Sequence, residues 1–184
     1  MDIETIKGEL KKSLSPKRYN HSILVAEKAK SLAKHYHINE EKAYITGLIH
    51  DIAKELTEEE NIYWIEKGKL SKNLENKENI NIKHADIGAV IAKEKYNLDD
   101  DICNAIKYHT IGNKNMDLIA KIIYIADKIG REKIPEALIP VKELAYQDID
   151  KALLYCLEKQ KIRLKEKGIK MHDDTEELLK ELQK

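Results

Sequence analysis

Helix breakers are scarce in this chain. Its 184 residues include only three prolines and seven glycines. Pro16 directly follows Ser15, where a proline opens a helix instead of breaking one. Strict apolar–polar alternation, the mark of a half-buried strand, is missing, and apolar residues recur at three- and four-residue spacing through nearly every segment. Such a chain can bury apolar surface in only one way, by packing amphipathic helices. The helix starts carry their own marks. Ser15 precedes Pro16, Asn39 precedes "EEKAYITGLIH", and Thr57 with Glu60 has the spacing of a capping box. Asp99 opens "DDICNAIKYH", Asp117 opens "LIAKIIYIADKI", and a later helix over Tyr146 to Lys167 is closed by Gly168. "DDTEELLKEL" forms a last short amphipathic helix, and the polar stretch "KGKLSKNLENKENINIK" reads as a surface excursion. The sum is a single all-α domain over residues 1–184, a bundle of about eight or nine helices.

Composition narrows the function classes. A hydrophobic fraction of 42% suits a globular protein, and the length suits one domain. Lys+Arg 33 balances Asp+Glu 33, so the chain lacks the broad basic surface that nucleic acid requires. A local basic pocket stays compatible with that balance. Cys103 and Cys156 form no C-x-x-C motif, which argues against a disulfide framework or a zinc ribbon. No stretch approaches the ~20 apolar residues of a membrane span, and the N-terminus lacks a signal-peptide pattern. The expectation is a cytoplasmic protein without nucleic-acid or membrane partners.

The polar residues that share the apolar face of each helix carry the most information. Val25, Ala29, Leu32 and Tyr36 form a core-facing stripe, and His21 lies one turn before Val25. Asp51 continues the stripe of Tyr44 and Leu48, with His50 beside it. His84 leads the stripe of Ile87 and Ile91, His109 extends that of Ile102, Ala105 and Ile106, and Asp127 follows Ala120 and Ile123. Singly, each residue has a bland explanation, a core histidine bonded to a carbonyl or an aspartate in an ion pair. Jointly, six inward titratable groups from five helices each need a partner. One device that satisfies all six is a metal centre, and imidazole with carboxylate suits iron, manganese, zinc or cobalt. His35, His37 and His172 fall near helix ends and read as surface residues.

The series His21, His50-Asp51, His84, His109 and Asp127 resembles the HD superfamily of metal-dependent phosphohydrolases, in its dinuclear branch. "SPKRYNHSILVAEKAKSLA", "AYITGLIHDIAKEL", "KHADIGAVIAKEKY", "AIKYHTIG" and "IIYIADKI" are similar, in that order, to the bacterial symmetrical diadenosine-tetraphosphate hydrolases of that superfamily. The likeness runs from about Ser15 to Tyr146. The segment "ADKIGREKIP" is shortened relative to the family pattern, so the role of the family arginine falls to Arg131 or is lost. The resemblance implies a helical bundle in which His21, His50, Asp51 and Asp127 hold one metal. It implies a second metal on His84 and His109, with Asp51 bridging, and two divalent or mixed-valent ions, iron above the alternatives.

In a two-metal site ~3.5–4 Å across, a bridging water loses its proton near neutral pH and attacks phosphorus in line. Attack at an inner phosphorus of diadenosine tetraphosphate releases two ADP. Lys54, three residues after Asp51, and Arg18, one turn before His21, are the expected phosphate contacts, with Arg131 and Thr110 as further candidates. Asp51 and Lys54 form the expected catalytic pair, and His84 is read as a ligand in preference to a general acid. ADP or GDP would bind as product-like ligands. Two other functions stay open: action of the same site on another nucleotide, and a metal-bound nucleotide sensor. A homodimer through exposed apolar residues of the last helices also stays open.

Overall fold

The structure is a computed structural model, and it describes residues 2–70 and 80–184. Among these residues there are ten α-helices, one short 3-10 turn and no strand. The helices are α1 (Ile3–Ser13), α2 (Pro16–His35), α3 (Glu40–Ile49), α4 (Glu58–Lys67) and α5 (Ile80–Glu94). They continue as α6 (Asp100–Tyr108), α7 (Leu118–Ile129), α8 (Val141–Gln147), α9 (Ile149–Glu166) and α10 (Asp173–Leu182). The 3-10 turn over Glu136–Leu138 links α7 to α8.

The all-α expectation holds, with more helices than expected. The segment read as one helix from Tyr146 to Lys167 is broken at Asp148, which takes an extended backbone and caps α9 by accepting from the N–H groups of Asp150 and Lys151. Tyr146 therefore belongs to α8. Ser15, Asn39 and Asp117 cap α2, α3 and α7 with their side chains, and Thr57 and Glu60 close a reciprocal capping box on α4. Each such cap contributes about 1 kcal/mol. Asp99 departs from expectation. It precedes α6 without a cap hydrogen bond, and its carboxylate instead receives Lys42 Nζ at 2.9 Å. The expected polar excursion lies largely on residues 71–79, outside the described residues, and its last part already belongs to α5.

Two apolar clusters hold the bundle together. One gathers Val25, Leu32, Ile122, Ile125, Leu153 and Leu157 from α2, α7 and α9. The other gathers Ile6, Leu10, Leu48, Ile49, Ile87 and Ile106 from α1, α3, α5 and α6. Helix α2 lends Val25 to the first and Ala26 to the second, so it runs along the seam. Glycines let it come very close on both flanks. A Cβ at Gly47 of α3 would stand 2.8 Å from Ala26 Cα, and one at Gly130, after α7, would stand 2.8 Å from Val25 Cα. These backbone contacts lie one turn beyond His21. They fix that histidine between the end of α3 and the end of α7.

Candidate metal centre

The six inward residues meet at one point, but not all from within helices as the sequence suggested. Helix α3 ends at Ile49, with His50 at its C-cap and Asp51 in the turn that follows. His109 likewise occupies the C-cap of α6. Each of these histidines uses its helix end in the same way. Nδ1 of His50 donates to the Gly47 carbonyl at 2.7 Å, and Nδ1 of His109 donates to the Ile106 carbonyl at 2.6 Å. A carbonyl only accepts, so the hydrogen sits on Nδ1 and the lone pair of Nε2 points at the centre.

Asp51 divides the constellation in two. Its Oδ2 faces His50 Nε2 at 3.6 Å and His21 Nε2 at 3.9 Å. Asp127 Oδ1 completes that side, 3.1 Å from His21 Nε2 and 3.8 Å from His50 Nε2. Asp51 Oδ1 faces His84 Nε2 at 3.2 Å and His109 Nε2 at 3.5 Å, and these two nitrogens lie 3.2 Å apart. The donor atoms of His21, His50 and Asp51, and of Asp51, His84 and His109, are close enough for each set to converge on a single ion.

Whether the residues fit a metal is decided by His50. Its side chain is 0% exposed, and its Nε2 has no hydrogen-bond partner. Burial pushes this imidazole down to about 4, so no proton fills the position at neutral pH. Burial also lowers His84. A buried lone pair beside two other ligand-type atoms is a poor arrangement for a core and a good one for a divalent cation. Burial alone would raise the Asp51 carboxyl, but the imidazoles of His50, His109 and His84 outweigh it and keep the group ionised. Asp127 is also held well below the ordinary range: burial pushes it up, and Lys128 and His21 outweigh that.

Cations surround the two carboxylates. Arg18, expected at phosphate, places Nη1 2.6 Å from Asp51 Oδ2. Lys54 does not share a helix face with Asp51, because α3 has ended. Its N–H bonds the Asp51 carbonyl in the turn, and Nζ lies 3.1 and 3.2 Å from the ring nitrogens of His84. Burial lowers the Lys54 ammonium. Arg131 donates from Nε and Nη2 to the Asp127 carbonyl and from Nη2 to its Oδ1 at 3.2 Å. Thr110 Oγ1 stands 3.2 Å from His109 Nε2. Sequence reasoning missed Lys128. Its Nζ holds Asp127 Oδ2 at 2.7 Å and lies 4.7 Å from the centre of the buried Tyr124 ring. The available signal was its position next to an inward aspartate in "IADKI". His35, His37 and His172 are exposed as expected, and His172 caps α10.

These groups open on a cavity of about 1010 Å³. Every expected site residue lines it except His50, which is sealed behind. Six cationic side chains, including Lys17 and Lys133, face four carboxylates there, so a neutral chain presents a locally basic cleft. Among the described residues no helix is long and apolar enough to cross a membrane.

The family model for the HD domain matches residues 18–132, from Arg18 to just past the last of the six residues. The chain belongs to the HD-domain family. The HD domain is a hydrolase domain, and the two His/Asp sets fit a divalent metal site within it. Among its relatives is the symmetrical bis(5'-nucleosyl)-tetraphosphatase of Bacillus subtilis, 32% identical over 90% of this chain and 89% of that protein. The enzyme of the same name from Staphylococcus aureus is 30% identical over 95% of this chain and 91% of that one. A crystal structure of a predicted HD superfamily hydrolase involved in NAD metabolism, from Clostridium acetobutylicum, superposes with a TM-score of 0.88. It is 33% identical and covers 99% of this chain and 97% of its own.

Proposed function

We propose that this HD domain is a metal-dependent symmetrical dinucleoside-tetraphosphatase that converts diadenosine tetraphosphate and water to two ADP. The observation that carries the proposal is the carboxylate of Asp51, whose two oxygens face two separate sets of imidazoles in a basic cleft. His21, His50, Asp127 Oδ1 and Asp51 Oδ2 would hold one ion. His84, His109 and Asp51 Oδ1 would hold a second; the donor set suits iron, manganese, cobalt or zinc, and the resemblance to the dinuclear HD enzymes puts iron first. A pair of such ions supplies an acidified water and charge stabilisation at phosphorus.

The chain's own residues supply the rest. The carbonyls of Gly47 and Ile106 keep His50 and His109 in the ligating tautomer. Lys128 holds Asp127 Oδ2, so that Oδ1, which also receives Arg131 Nη2, faces the centre. Lys54, Arg18 and Arg131 form the cationic wall that would receive the tetraphosphate oxygens, and Thr110 adds a hydroxyl donor. Displacement at an inner phosphorus breaks its bond to the central bridging oxygen, which leaves with the other ADP. The relatives named symmetrical tetraphosphatases support this substrate over other nucleotides. Exposed Ile162 and Ile169 would carry a homodimer contact.

The test is product analysis. Metal-loaded protein with diadenosine tetraphosphate is expected to yield ADP alone. Release of AMP with ATP, or cleavage of a different nucleotide only, would overturn the reading.

A further inference from the structure

Beside the main cavity lies a second groove of about 310 Å³. The two share Leu24 and Arg131, so they are neighbours across a common rim. We propose that this groove is the subsite for one nucleoside of the dinucleotide, the distal partner of the nucleoside held in the main cleft. The proposal rests on the tetraphosphatase reading above. A substrate split symmetrically presents a nucleoside on each side of the reacting phosphorus, so a cleft built for it needs room on both sides of the metal centre.

The groove has the chemistry for that occupant. Leu24, Ile129 and Ile134 give an apolar wall for a base, and its volume falls at the small end of ligand sites. Glu27, exposed on α2, offers a carboxylate to ribose hydroxyls or an exocyclic amine. Lys28 and Lys142 give it a cationic edge. Arg131 is placed to join the halves. Its Nε and Nη2 are engaged by Asp127, while Nη1 makes no hydrogen bond there and can take a phosphate oxygen where the chain crosses the rim. The segment after Asp127 thus brings its arginine to the boundary between the two cavities.

The test compares diadenosine tetraphosphate with adenosine 5'-tetraphosphate, which carries the same phosphate chain and only one nucleoside. The readout is the ratio of their kcat/KM values, measured by ADP release from metal-loaded protein. Wild type is expected to favour the dinucleotide. Ile134→Glu is expected to cut the ratio about tenfold, the scale of one apolar subsite contact. Glu27→Arg, at an exposed position where folding is not at stake, is expected to lower the ratio as well. A wild-type ratio near one, or a ratio unchanged in both variants, overturns the subsite alone. A wild type that releases no ADP from either compound overturns the tetraphosphatase reading and the subsite with it.

Discussion

His50→Leu separates the metal-binding role of the buried imidazole from its role in the fold. In the folded protein His50 is 0% exposed, Nδ1 is bonded to the Gly47 carbonyl at 2.7 Å, and Nε2 has no partner. An unpartnered buried polar atom costs about 1–3 kcal/mol, whereas a hydrogen bond such as that to Gly47 contributes about 0.5–1.5 kcal/mol net. Leucine removes the unpartnered atom and fills a similar volume with apolar atoms, but it leaves the buried Gly47 carbonyl without its donor. An orphaned buried carbonyl costs about 1–3 kcal/mol as well, so the two effects offset and the metal-free variant is expected to match the metal-free parent within about 1 kcal/mol. For a chain of this length that keeps the two Tm values within about 2–4 °C of each other. Metal separates the two. An ion bound only to the folded state adds about 2.7 kcal/mol at a hundred times its Kd, and the variant lacks one of the ligands that earn it. Circular-dichroism melts in chelator and in excess Mn²⁺ read both effects. A chelated variant that melts more than about 4 °C below the chelated parent would mean that Nε2 is already satisfied without metal. A metal-dependent shift of full size in the variant would mean that His50 is not a ligand.

Three further outcomes are expected. In metal-free protein, burial sets the folded pKa of His50 at about 4 against 6.5 and lowers His84 in the same direction. The unfolded chain therefore binds these protons first as the pH falls. Stability is complete above about pH 6.5 and is lost toward pH 4, by about 3 kcal/mol for His50. Denaturant midpoints measured in chelator across that window check the sign, and a flat profile would contradict a neutral buried imidazole. Gly47→Ala improves helix propensity by about 1 kcal/mol, but its Cβ meets the α2 backbone at 2.8–3.2 Å, where nothing flexible can yield. Overpacking of about 1–3 kcal/mol should win, lowering both the denaturant midpoint and the metal affinity, because His50 is oriented by the Gly47 carbonyl. Lys54→Ala should raise KM or lower kcat with metal content unchanged, and metal loss measured by elemental analysis would place Lys54 in the wrong role.

Much of this site was legible because burial imposes a pattern. The stripe through Val25, Ala29 and Leu32 is buried as read, and the six inward residues do converge. The caps at Ser15, Asn39, Thr57 and Asp117 were legible for a local reason, since a cap needs only a side chain and a backbone N–H three residues away. What could not be read depended on distant partners. Asp99 looks like any cap, yet Lys42 on another helix claims its carboxylate. Asp148 interrupts a helical pattern because the chain turns there, and period alone carries no trace of that. Arg18 has the spacing of a phosphate ligand, and its contact with Asp51 exists only after α2 and α3 pack.

The same limit explains why the helix-end position of His50 and Asp51 went unread, and why it matters. Neighbouring residues inside a helix point about 100° apart, so an adjacent pair there does not face one centre. The stripe of Tyr44 and Leu48 carries past Ile49 because the turn keeps Asp51 on the inner side, and periodicity therefore mistakes turn for helix. The turn is what lets His50 Nε2 and Asp51 Oδ2 approach to 3.6 Å. It also frees the helix-end carbonyl of Gly47 to fix the imidazole, and turns the two Asp51 oxygens toward opposite sides. His109 repeats the device at the end of α6, with Ile106 in the place of Gly47. A histidine–aspartate pair moved two residues back into α3 would keep the dipeptide and lose the geometry. The motif is a property of where the helix stops as much as of which residues it contains.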